Sequence, residues 1–497
     1  MPEPLANTLP GSRAELPVLL QLERGTEALH RQIARQLRAA ILDGRLARSA
    51  PLPSTRALSR ELGVARGAVV EAYAELHAEG YLESRHGSGT RVMAASPPTG
   101  PRGTRASVPG ETSRWLRGEP DPVAADGPPS APGIHFRLGQ PSVRELDQDA
   151  WRRAWRDMLQ GVPPCDYGDA RGEVELRSTL AGFLTRSRGL PTAPDDLIVT
   201  TGAAQGLNLL ARAVLREGDR VAFEEPGYRF ARQVLGLHGA GVMPVNVDDD
   251  GLRVEELPEG HGAPLMLYCT PSHQYPLGSR LPVARRLALL AWAERNDVLI
   301  VEDDYDSEFR YGAPPLPTLA SLDRTRVVYM GTLSKVLMPA VRLGYLVAPP
   351  ALSARVIREK TLADRHDPWP LQRALAAFIA QGSLERHVRR MRRVYAAKRE
   401  VLTQELRPLE PTARLTGIEA GLHACLELQS PLSARTVAAA CAARGVHLSP
   451  LDSYYLGPVQ REALLLGYGA LSLTEIKEGV AVLREVLNES AGVKGPG

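Results

Sequence analysis

The stretch DVLIVEDDYDSEF, Asp297–Phe309, opens on four apolar residues and empties abruptly into the acids Glu302, Asp303 and Asp304, followed by Tyr305. A run this short, bounded by polar residues, reads as a strand buried on both faces. The pattern recurs on either side of it. DDLIVTTGA, DRVAFEEPGY, APLMLYCTPS and RVVYMGTLS are further apolar runs that end in polar or glycine-bearing loops. Between them lie helical stretches such as AAQGLNLLARAVL, SRLPVARRLALLAWAERN and LQRALAAFIAQGS. From about Ile134 to the C-terminus this alternation implies an α/β fold with a mostly parallel sheet. Ligands bind such sheets at the carboxyl ends of the strands, where the acids of the opening stretch lie.

Beyond the strand RVVYM comes GTLSKVLMPAVRLGY, Gly331–Tyr345. Of 60 basic residues in the 497-residue chain only five are lysines, and one is Lys335. A lysine on a loop leaving such a strand can form a Schiff base with an aldehyde cofactor, which an always-protonated arginine cannot. The other parts of a cradle are in order. Asp303 can keep a pyridine nitrogen protonated, and Tyr305 can hydrogen-bond a phenolic oxygen. TTGAAQG turns from strand into helix at Gly202, offering the N–H groups of Ala203 and Ala204 to a phosphate. Thr332 and Arg342 flank Lys335 and can complete that grip, with Ser334 a weaker candidate. Tyr228, in EEPGYRF, can stack on a ring.

This constellation resembles the fold-type I, aspartate-aminotransferase-like family, whose cofactor is pyridoxal 5′-phosphate. The resemblance implies that Tyr167, in DYGDARG, reaches the phosphate of a neighbouring subunit, and hence a homodimer. Two positions depart from the family. LLGYG places Leu465 where an arginine ordinarily clamps the substrate carboxylate, and YPLG places Tyr275 where an asparagine adjoins the cofactor. Arg229 or Arg232 could bind an acid group instead. Losing the clamp favours a sensor over an active aminotransferase, which is the alternative reading, with a half-reaction still open. A third reading, a ligand-free dimerisation scaffold, leaves the lysine, the aspartate and the phosphate grip without a use.

The front of the chain has a different grammar. In ALHRQIARQLRAAIL, Leu29, Ile33, Leu37 and Ile41 recur every fourth position, as on one helix face. STRALSREL opens on Ser54, a good N-cap, and stops at Gly63. ARGAVVEAYAELHAEG puts Val69, Tyr73 and Leu76 on one face, and YLESRHGSGTRV alternates around a Gly-Ser-Gly turn. Two helices about a tight turn, plus a wing, make a winged helix-turn-helix whose second helix fits the major groove of double-stranded DNA. PLPSTRALSRELGVARGAVVEAYAELHAEGYLESRHGSGTRV is similar to the GntR-type DNA-binding domain. That resemblance implies DNA contacts by Arg56, Arg66 and Gly67 and by His86 and Gly87 of the wing. Ala65 lacks the hydroxyl that commonly caps the recognition helix. From Leu20 to Ala95 there are 11 arginines against 8 acids, compatible with a nucleic-acid partner although the whole chain carries only +3.

Together the halves are similar to the MocR/GabR subfamily of GntR-type regulators, through EDDYDSEF, TPSHQYPLG, GTLSKVLMPAVRLGY and HVRRMRRVYAAKR. The implied protein is a bacterial transcription factor and a head-to-tail homodimer. Pyridoxal phosphate, an amine or an amino acid would act as effector on operator binding. The expected organisation is a flexible N-terminus (1–19), a winged helix-turn-helix (20–95), a linker (96–133) and an aminotransferase-like domain (134–497). The linker holds nine prolines and six glycines. Four scattered cysteines without CxxC spacing argue against a metal site and suit a reducing cytoplasm. No apolar run approaches the ~20 residues a membrane helix needs.

Overall fold

The computed structural model describes residues 16–25, 27–85, 89–93, 131–311, 316–410, 412–429 and 431–492. His86 and Gly87 of the expected wing and most of the expected linker lie outside these. The chain divides into two compact units, Met1–Pro120 and Asp121–Gly497.

The first unit packs α1 (Leu29–Leu42), α2 (Thr55–Glu61) and α3 (Arg66–Ala78) beside a small antiparallel sheet. That sheet has the order β1 (Pro51–Leu52), β3 (Gly89–Val92), β2 (Leu82–Arg85). The four-residue period of α1 holds for Ile33, Leu37 and Ile41, which are buried against Leu58, Val69, Tyr73 and Leu76, while Leu29 is only half-buried. Ser54 caps α2 by accepting the Ala57 N–H at 3.2 Å, whereas Ala65 offers α3 no side-chain cap. Tyr73 donates its hydroxyl to Pro53 O at 3.0 Å, tying α3 to the strand before α2.

The second unit begins with β4 (Ile134–His135), α4 (Gln148–Leu159) and α5 (Val174–Arg188). An eight-stranded sheet follows, made of β5 (Leu197–Thr200), β6 (Arg220–Glu225), β7 (Gly241–Asp248), β8 (Gly251–Leu252), β9 (Met266–Cys269), β10 (Leu299–Asp304), β11 (Val327–Thr332) and β12 (Gly344–Val347). Its order is β5-β12-β11-β10-β9-β6-β7-β8. The pairs from β11 through β10, β9 and β6 to β7 are parallel, while β12 runs antiparallel to both its neighbours and β8 to β7. The connecting helices are α6 (Ala203–Val214), α7 (Arg229–Gly236), α8 (Val283–Asn296), α9 (Leu319–Leu322), α10 (Pro350–Ala363) and α11 (Trp369–Ala380).

Successive strand residues feed opposite layers, as the two-residue pleat requires. Leu197, Val199 and Ile300 pack with α4, α5, α8 and α11, while Ile198, Val301 and Val328 pack with α6, α7 and α10. This is why the strands read as continuous apolar runs.

The C-terminal part differs from the expected single alternating pattern. A four-stranded antiparallel sheet forms there, ordered β13 (Ala413–Thr416), β14 (His423–Leu428), β17 (Ala463–Gly467), β16 (Ser449–Pro450). With α12 (Ser383–Leu406), α13 (Ala434–Ala442) and α14 (Leu473–Gly492) it buries a core of its own around Met391, Tyr395, Leu464 and Ile476. The entering strand β4 pairs with β15 (Val446–His447), so the start of this unit joins its end.

Candidate functional site

At the carboxyl ends of the central strands lies a cavity of about 340 Å³. Lys335, Asp303, Tyr305, Tyr228, Ala203, Ala204, Thr332, Ser334 and Arg342 all line it. The topology brings them there from five segments, because each follows or ends a neighbouring strand.

The acids of the opening stretch sort by the pleat of β10. Glu302 and Asp304 point to one layer and are consumed by structure. Glu302 accepts the N–H groups of Leu319 and Ala320 at 3.0 and 2.9 Å, at the start of α9. Asp304 takes Arg188 Nε at 2.8 Å and the Tyr329 hydroxyl at 2.7 Å. Asp303, between them, faces the cavity. Its Oδ2 accepts the Tyr268 hydroxyl at 2.5 Å, while its buried Oδ1 has no hydrogen-bond partner among the described residues. Burial pushes its pKa up to about 7, opposed by the Tyr268 hydrogen bond and by the charge of Lys335.

At the other end, Gly202 adopts φ +113° and starts α6, whose first turn carries Ala203 and Ala204. The first backbone bonds of the helix run from Gln205 N and Gly206 N to Gly202 O, so the N–H groups of Ala203 and Ala204 precede the helix ladder. A Cβ at Gly202 would stand 3.3 Å from Arg342 Nη2, so glycine lets the guanidinium close on the helix start. Arg342 itself holds φ +45°, a left-handed conformation that non-glycine residues seldom adopt. The Thr332 hydroxyl is already engaged. It donates to Leu343 O at 3.2 Å and accepts the Ser334 N–H at 3.1 Å, fixing the loop that carries Lys335.

Scarcity alone does not mark Lys335. Lys360 and Lys398 are more deeply buried than the half-buried Lys335, the first paired with Asp367 at 2.8 Å and the second donating to Gly469 O at 2.7 Å. What sets Lys335 apart is its position in the cavity wall. A Cβ on Gly139, which holds φ +64°, would lie 2.7 Å from its Nζ, so a side chain there would push the amine aside.

Several expected residues fall elsewhere. Tyr167 is 68% exposed and lies outside the cavity, with the Arg365 guanidinium 5.0 Å from its ring centre. Arg232 is spent, donating to Glu225 Oε2 at 3.1 Å and to Tyr454 O at 3.0 Å. Leu465, on β17, is fully buried in an apolar cluster with Leu277, Leu451 and Tyr455. Tyr275 does line the cavity, edge-on to Tyr228 and Tyr305 at 5.2 and 5.7 Å. Gly139, Tyr268 and Phe230 were missed. Tyr268 was findable, since it sits one strand over from Asp303 at the end of its own apolar run. In the first unit Arg56, Arg66 and Gly67 are exposed, and Arg66 Nε lies 3.4 Å from Thr55 Oγ1.

Comparison with known proteins agrees with both units. Residues 29–92 match the family model described as bacterial regulatory proteins, gntR family, and residues 134–483 match aminotransferase class I and II. The chain is 36% identical to the probable rhizopine catabolism regulatory protein MocR of Rhizobium meliloti, over 94% of this chain and 95% of the relative. It is also 36% identical to the HTH-type pyridoxine biosynthesis transcriptional regulator PdxR of Corynebacterium glutamicum, over 92% and 95%. Among solved structures, Pyrococcus horikoshii kynurenine aminotransferase in complex with PMP superposes with a TM-score of 0.67 at 26% identity. That match covers 74% of this chain and 93% of that one.

Proposed function

The chain belongs to the transcriptional regulators that join a gntR-family DNA-binding unit to an aminotransferase class I and II domain, and we propose that its large unit senses through Lys335. The ligand sensed is pyridoxal 5′-phosphate or a primary amine that reacts with it. The observation that carries this reading is the pairing, in one cavity, of Lys335 with the buried, unpartnered Asp303 Oδ1. That oxygen fits a protonated pyridine nitrogen, because a carboxylate so placed regains the partner that burial denied it.

When bound, pyridoxal phosphate supplies an aldehyde that amines capture and a ring that withdraws electrons. This chain's residues do the rest. The ε-amine of Lys335 would attach the group and would be freed where another amine took its place. Asp303 Oδ1 would accept from the ring nitrogen, and Tyr305 would donate to the phenolic oxygen. The first-turn N–H groups of Ala203 and Ala204, with Arg342, would hold the phosphate. Tyr228 would cover the ring face. Release of Lys335 alters operator affinity only as far as the two conformations of the regulator bind the loaded group unequally.

A homodimer, arranged head to tail, belongs to the same proposal, and the exposure of Tyr167 supports a role in a neighbour's site. Sustained transamination is the second reading, favoured by the aminotransferase neighbours. Against it stand Leu465 in an apolar cluster and Arg232 bound to Glu225, which leave no bidentate carboxylate clamp at either position. With a 2-oxo acid as acceptor, the sensor reading expects turnover far below ~1 per second. The sensing reading itself is tested by measuring operator affinity alongside the visible spectrum while amines are added. An amine that changes the spectrum but leaves operator affinity untouched contradicts it.

A further inference from the structure

Behind Tyr305 lies a buried pair that the proposed function does not use. His273 and Asp306 are 2% and 1% exposed, and His273 Nδ1 is 3.1 and 3.0 Å from the two Asp306 oxygens. The same Nδ1 is 3.1 Å from the Tyr305 hydroxyl oxygen. Carboxylate oxygens only accept, so Nδ1 carries the hydrogen. A nitrogen that donates cannot also accept, so Tyr305 Oη receives a share of that hydrogen, and its own hydrogen is left to point elsewhere. The opposite nitrogen, Nε2, is buried with no partner among the described residues, which fits the tautomer that leaves it bare. Neighbouring His423 donates Nε2–H to Pro276 O at 3.1 Å, and its ring lies 4.9 Å from that of His273. Burial, then His273, push His423 down to about 3, so it brings no charge to the pair.

We infer that His273, oriented by Asp306, is a positioning residue that makes Tyr305 a one-way hydrogen-bond donor into the cavity. Without the imidazole, no N–H at that position holds the Tyr305 hydroxyl hydrogen toward the cavity. The inference rests on the proposed binding of pyridoxal phosphate, whose phenolic oxygen is the acceptor that such a donor would meet. A hydrogen bond donated to that oxygen stabilises its anionic form, which lowers the pH at which the bound chromophore loses its proton. The titratable groups facing Tyr305 and the pair include Asp303, Lys335, Glu224, Tyr275 and His423, with Glu308, Tyr311 and Tyr468 beside Asp306.

The test is a pH titration of the visible absorbance of the full-length protein reconstituted with pyridoxal phosphate. His273→Leu is expected to raise the midpoint by about one unit, as loss of a single hydrogen bond to the charged form would. His273→Asn, whose amide can place an N–H near the Nδ1 position, should return most of the shift. Asp306→Asn, which frees His273 to take the other tautomer, should move the midpoint the same way as His273→Leu. In a Tyr305→Phe background none of these changes should add a further shift. A wild-type protein with no chromophore at all sinks the cofactor reading instead. A normal chromophore whose midpoint stays at the wild-type value in both His273→Leu and Asp306→Asn overturns the inference alone. So does an equal shift by His273→Leu with and without the Tyr305 hydroxyl. If His273→Leu does not fold, Asp306→Asn decides the matter by the same criterion.

Discussion

The carboxyl group of Glu224 shows how much one side chain below the cavity has been asked to bear. It is 2% exposed at the end of β6, and its Oε2 accepts the Thr270 hydroxyl at 2.5 Å and the Thr270 N–H at 3.1 Å. Burial pushes its pKa from 4.5 to about 7 despite those bonds. A raised carboxyl holds its proton more tightly folded than unfolded. Its contribution to stability is therefore full below the unfolded pKa and is lost as pH rises through about 7. Glu302 is raised to about 7 as well and acts with the same sign. Glu224→Gln should flatten the fall in thermal stability of the cofactor-free protein between pH 5 and 7.5, by roughly 2–3 kcal/mol. Equal slopes for the two proteins would show that Glu224 is ionised throughout. Which acids do chemistry was only partly legible in the sequence. EDD offers three carboxylates in a row, and strand alternation sends one to the cavity. Which face is the cavity depends on the helices that cover the sheet.

At the scale of elements, α3 begins without a side-chain cap while α2 has one in Ser54. Ala65→Ser should stabilise the first unit by ~1 kcal/mol in chemical denaturation, since a hydroxyl there can take an orphan N–H of the first turn. No gain would mean that α3 frays no more in the native protein than α2. Arg56 and Arg66, at the starts of the two helices, are exposed and suited to phosphates or guanine. Arg56→Ala should lower the slope of log affinity against log salt by about 1 if it meets a phosphate. An unchanged slope with altered sequence preference would assign it to a base instead. These helices could be read from their periods and caps. The C-terminal sheet could not, because β16 is two residues long and β13 is half-exposed, too short to show alternation.

For the whole molecule, the change of grammar between the front of the chain and the rest accompanies two compact units, which divide between Pro120 and Asp121. The cavity was legible because its parts sit at strand ends in chain order. Gly139 and Leu138, which arrive from the segment after β4, were not, since nothing local ties them to a site closed by a distant loop. All the functional claims converge on one atom, Lys335 Nζ. The decisive measurement is borohydride reduction of the full-length protein after incubation with pyridoxal phosphate, followed by peptide mapping. Lys335 should carry the reduced adduct, while exposed Lys477 should not. An unmodified Lys335, or label spread over the surface lysines, would contradict the account.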